Sequence, residues 1–81
     1  MANPKAVIEE ILATALKVTL ERERLAAAFN KSGIILNADM RITAIIGDPA
    51  AALKALMQNL SELAVVKISA KQAIRRAGLN L

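Results

Sequence analysis

Apolar residues follow three different rhythms along this chain. From Pro4 to Asn30, Ile8, Ile11, Ala15, Val18, Leu25 and Phe29 recur at three- and four-residue steps, with Arg22 the one charged member of that line. This is the spacing of one face of an α-helix. Asn3 suits an N-cap, Pro4 suits the first helical position, and Gly33 offers a left-handed stop, so the pattern predicts one long helix over about 4–30. In its first half a second line, Leu12, Leu16 and Leu20, widens the apolar arc beyond what one neighbour covers. Its own domain covers one side, and the same helix of a second copy covers the other. Ile8, Leu12, Leu16 and Leu20 are therefore the candidate oligomer seam. The charged stretch LERERLAAAF reads as a solvated face, with Lys17 and Glu21 at the spacing of a weak intrahelical pair.

In the middle, SGIILNADMRITAIIGDP, the period shortens. Met40, Ile42, Ala44 and Ile46 alternate with Arg41, Thr43 and Ile45, and GIIL before the Asn37-Ala38-Asp39 turn supplies a partner strand. The same residues also admit a helix capped by Asn37 and stopped by Gly47. β-Branched content and flanking glycines favour the hairpin.

Helical spacing returns after Asp48, a cap, and Pro49, a first-turn residue. Leu53, Leu56, Met57, Leu60 and Leu63 form one face, with Lys54, Gln58, Asn59, Ser61 and Glu62 away from it. AVVKIS reads equally as a helix end, a connector or a short strand. Ser69 is the expected cap of a last helix over about 70–77, with Ala70, Ala73, Ile74 and Ala77 on its apolar side and Gly78 as its stop. The expected fold is a small α+β domain, helix–β-hairpin–helix–helix, occupying 1–81 as a single domain. An all-α helical bundle is the alternative.

GIILNADMRITAII followed by DPAAALKAL resembles the opening hairpin and first helix of a PAS sensor domain. The remainder is too short to complete that fold and lacks its later strands. The resemblance thus implies the hairpin, and no sensor activity or ligand.

Composition narrows the chemistry. A chain of 81 residues buries only about 60–65% of the surface its unfolded form exposes, so outside support is expected. Without cysteine there is no disulfide, and without cysteine or histidine the ordinary ligands of zinc, haem and iron–sulfur sites are missing. No metal and no cofactor are expected. Self-association remains, and an apolar fraction of 56% against roughly 45–50% in average domains favours a homo-oligomer over an alanine-rich monomer. No uncharged apolar run approaches the roughly 18 residues of a membrane span. MANPKAVIEE lacks a secretory pattern because Glu9 and Glu10 interrupt it. A cytoplasmic protein with no membrane partner is the expectation.

Charge is distributed unevenly. Residues 1–48 balance Lys5, Lys17, Arg22, Arg24, Lys31 and Arg41 against Glu9, Glu10, Glu21, Glu23, Asp39 and Asp48. The whole excess of +4 lies beyond them, where Lys54, Lys67, Lys71, Arg75 and Arg76 face only Glu62. Such asymmetry suggests an anionic partner. An enzyme is not expected: His, Cys, Tyr and Trp are missing, the glycines are too dispersed for a phosphate loop, and Ser32 and Ser69 are explained as capping residues. A Ser69 pair with Lys67 or Lys71 is the remaining nucleophile candidate.

Two functional readings stand side by side. In the first, the chain is a small nonenzymatic nucleic-acid-binding or regulatory module. Lys67, Lys71, Arg75 and Arg76 meet the phosphates of duplex DNA, and a helix-turn-helix arrangement turns Gln72, Arg75 and Lys71 toward base edges. With Phe29 as the sole aromatic, single-strand binding by base stacking is disfavoured. In the second, cations near a helix C-terminus merely complement the helix dipole. The chain is then an adaptor, inhibitor or structural oligomer that packs its leucine- and alanine-rich faces on itself or on a larger protein.

Overall fold

An unbroken helix over 4–30 would be about 40 Å long at 1.5 Å per residue, and the longest dimension of the molecule is 30 Å. The computed structural model, which describes residues 3–79, shows the chain folding back instead. Its elements are α1 (Pro4–Val18), α2 (Arg22–Lys31), β1 (Ile34–Leu36), β2 (Ile42–Ile45), α3 (Pro49–Asn59) and α4 (Ala64–Arg76). This is the α+β order helix–hairpin–helix–helix with its first helix divided in two.

The division falls at a β-branched pair, Val18-Thr19, which helices accommodate less well. Thr19 is extended (φ −129°, ψ 144°) while its N–H still donates to the Ala15 carbonyl. Its Oγ1 then accepts the Glu21 N–H at 3.1 Å, closing a local turn. The turn swings Leu25, Ala28 and Phe29 into the core that Ile8, Ile11 and Ala15 occupy. Leu20, expected on a helical line, is left at the corner and is 97% exposed. The N-terminus of α1 is as read: Asn3 Oδ1 accepts the Ala6 N–H at 2.8 Å.

β1 and β2 form the antiparallel hairpin, with Ile34 opposite Ile45, Ile35 opposite Ala44 and Leu36 opposite Ile42. Asn37 builds the turn: its Oδ1 accepts the N–H groups of Asp39 and Arg41, and Met40 takes the left-handed conformation at φ 61°. Thr43 is the extra residue on β2, and its hydroxyl donates to the Ile35 carbonyl at 3.2 Å. That bulge shifts the alternation. The partly buried residues are therefore Met40, Ile42 and Ile45, whereas Ala44 and Ile46, expected in line with Met40 and Ile42, are exposed. At Gly33 (φ 82°) the chain turns from α2 into β1 with its carbonyl accepting the Ile46 N–H at 2.8 Å.

α3 starts as its cap signals predict, with Asp48 Oδ2 accepting the Ala51 N–H. α4 begins at Ala64, a turn and a half before Ser69. AVVKIS is thus helix, and Ser69 is an interior residue rather than a cap. Burial explains the extension: Val66 continues the buried line Ala70, Ala73 and Ile74 back by one turn. Covering a valine contributes about 1.5–3 kcal/mol, more than the few tenths each β-branched residue costs in a helix.

α1 packs on α4 and α3, and α2 packs on α3 and β1. Phe29, Leu25, Ile34, Leu53, Leu56 and Leu60 fill the space between them. Among the described residues one polar side chain lies inside: Ser32 donates from Oγ to the Ala28 carbonyl (2.8 Å) and accepts from Asn59 Nδ2 (2.9 Å), joining the ends of α2 and α3. Among the described residues no helix is long and apolar enough to cross a membrane.

Candidate nucleic-acid interface

Two helices build the cationic surface. α4 turns Val66, Ala70, Ala73 and Ile74 into the core. Lys67, Lys71 and Arg75, at four-residue steps, climb the edge of α4 next to α3. α3 answers with Lys54, one turn before Gln58, beside the half-buried Met57. The groove between them measures about 500 Å³; Lys54, Lys67, Lys71, Arg75 and Gln58 rim it, over Met57, Ile74 and Leu79. No carboxylate among the described residues lines it. Among the described residues these four cations form no ion pair.

Three of the five residues expected to meet nucleic acid are brought together here: Lys67, Lys71 and Arg75. Arg76 lies around the helix, where its Nη2 donates to Glu10 Oε1 of α1 at 3.3 Å. Gln72 is exposed but lies outside the groove lining. Lys54 completes the cluster, and sequence reasoning had counted it in the charge imbalance without placing it at the site. Its partners lie on another helix, so only the packing of α3 on α4 reveals it. Glu62, the lone acid of this half, lines a different groove with Arg24 and Lys31.

The order of α3, the Leu60–Leu63 turn and α4 matches a helix-turn-helix. Its turn precedes AVVKIS, one of whose readings was the connector, and Ile68 stands on the exposed side of α4.

The candidate seam divides. Ile8 and Leu12 are buried in the chain's own core, at 0% and 6% exposure, and cannot also face a second copy while that core is intact. Leu16 is half-buried, beside a groove of about 340 Å³ between α1 and the hairpin that Leu12, Ala13, Met40 and Ile42 also line. Leu20 stands apart at the corner.

Ser69 sits two residues from both Lys67 and Lys71 on one helix, about 200° around from each, so the helix holds the hydroxyl away from both amines. Ser32 is engaged by Ala28 and Asn59. Among the described residues no three carboxylates cluster.

Comparison with protein-family models, with curated proteins and with solved structures finds no match to this chain. The hairpin that the PAS-like stretch implied is present, and among the described residues it is the whole of the sheet.

Proposed function

We propose that the protein is a nonenzymatic nucleic-acid-binding module that holds the phosphate backbone of duplex DNA at the groove between α3 and α4. The observation that carries this reading is the gathering of Lys54, Lys67, Lys71 and Arg75 around one groove with no carboxylate on its lining among the described residues. Four like charges around one groove repel one another, and a polyanion relieves that repulsion while releasing its own counterions. Helix dipoles do not account for the cluster. Lys67 lies in the first turns of α4, where the dipole disfavours a cation, and Lys54 lies in the middle of α3. The dipole favours Arg75 and Arg76, both in the last turn of α4, and of these two Arg76 pairs with Glu10 while Arg75 joins the groove.

The test is fluorescence anisotropy of a labelled random duplex, titrated with the protein at low and at roughly physiological salt. Binding that weakens steeply with salt is the expected result. Absence of binding at low salt would reject the reading and make this rim an ordinary solvated surface.

Two observations support a second reading, an assembly subunit that packs on its own copy or on a larger protein: Leu20 is almost fully exposed, and Leu16 borders a groove that Leu12, Met40 and Ile42 line together with Glu9 and Arg41. Under that reading the native particle is larger than one chain. Leu20→Ser, which disturbs no core contact, then returns it to a single chain in sedimentation. An unchanged particle mass would remove Leu20 from any seam.

A further inference from the structure

The side of α4 turned away from the core is not uniformly polar. At 100° per residue, Ile68 lies diametrically opposite the buried line of Val66, Ala70, Ala73 and Ile74. Lys71 and Arg75 flank it on one side, and Gln72 and Val65 on the other. Ile68 is 59% exposed and Val65, three residues earlier and adjacent on the helix surface, is 60% exposed. A lone exposed aliphatic is ordinary. Two neighbouring ones at the apex of a helix whose flank carries cations with no ion pair among the described residues define a surface with two demands: negative charge beside it and apolar groups beneath it.

Duplex DNA meets both demands in its major groove. The groove is about 12 Å wide and admits a helix of about 10–12 Å, phosphates border it, and the thymine methyl is the apolar group on its floor. When Lys54, Lys67, Lys71 and Arg75 engage the backbone, the apex of α4 is the part that reaches the base edges. Ala64, Val65 and Ile68 belong to its N-terminal half, the half of a recognition helix that makes base contacts. Gln72 has the bidentate donor and acceptor that match adenine N7 and N6. We infer that α4 is a major-groove reading helix with a preference for A·T pairs, in which Ile68 and Val65 cover thymine methyls and Gln72 pairs with adenine. This rests on the DNA reading of the α3–α4 groove and adds base readout to it.

The experiment starts from duplexes enriched out of a random pool by repeated binding to the full chain. Each is then remade with uracil in place of thymine, which deletes only the methyl. The enriched sequences are expected to share A·T pairs, and uracil is expected to weaken binding about fourfold per contacted methyl. Ile68→Ala should erase most of the thymine–uracil difference and leave the salt dependence unchanged, while Arg75→Ala does the reverse. Because Ile68 is exposed and alanine is a strong helix former, circular dichroism should show the variant folded. Equal affinity for thymine and uracil duplexes, with salt-sensitive binding intact, would overturn base readout and leave the phosphate reading standing. No binding to any duplex at low salt would overturn both. Polyglutamate that competes as well as DNA of equal charge would also overturn both, in favour of an acidic protein partner.

Discussion

Phe29→Ala is expected to remove about half of the domain's stability. The ring is fully buried near the end of α2, which packs on β1 and α3. It is the chain's only aromatic, and no other side chain nearby has the volume to collapse into its place. Truncating a buried phenylalanine costs about 3–5 kcal/mol. At about 0.05–0.15 kcal/mol per residue, a domain of this length holds only roughly 4–12 kcal/mol. Thermal melting followed by far-ultraviolet circular dichroism should show the midpoint lowered by more than about 12 °C. A midpoint within a few degrees of the native one would mean that α2 does not dock as described.

Arg75 and Arg76 are neighbours in sequence and are expected to behave as strangers in DNA binding. With four phosphate contacts the logarithm of affinity falls with the logarithm of salt at a slope near −3.6, which is roughly 150-fold between 50 and 200 mM. Arg75→Ala should flatten that slope by about 0.9, and Lys54→Ala on α3 should do the same. Arg76→Ala should leave the slope unchanged. Its partner is Glu10, and the two side chains are 67% and 48% exposed, so that loss appears as less than about 1 kcal/mol of stability. Replacing all four groove cations with alanine should abolish binding at physiological salt. Equal flattening by Arg75→Ala and Arg76→Ala would show that the phosphates follow the end of α4 and not the groove.

Where the chain announces an element with its own local chemistry, the sequence reading and the fold agree. Asn3-Pro4 and Asp48-Pro49 start helices, and Asn37 builds a turn, because capping and turn formation involve residues within four positions of one another. The break after Val18 was hidden for an instructive reason. Val18 and Leu25 are two helical turns apart, so the apolar phase runs straight through the corner, and it masks the local signal, a β-branched Val18-Thr19 pair whose threonine hydroxyl closes the turn. The start of α4 had no signal at all: Leu63 occupies the cap position without a capping side chain, and Ser69 offered a false one. At the candidate site, Lys67, Lys71 and Arg75 were legible because one helix carries them at a single spacing. Lys54 joins them, and Arg76 leaves them, through contacts between helices that no spacing encodes.

The docking of α1 on α4 has a consequence for how the molecule is made. A ribosome adds about 5–20 residues per second, so after Val18 is joined roughly 3–12 s pass before the last turn of α4 exists. During that interval the side of α1 on which α4 packs has no cover from it. The nascent chain therefore carries an uncovered apolar strip until α4 is made, and closure of this core waits on that helix.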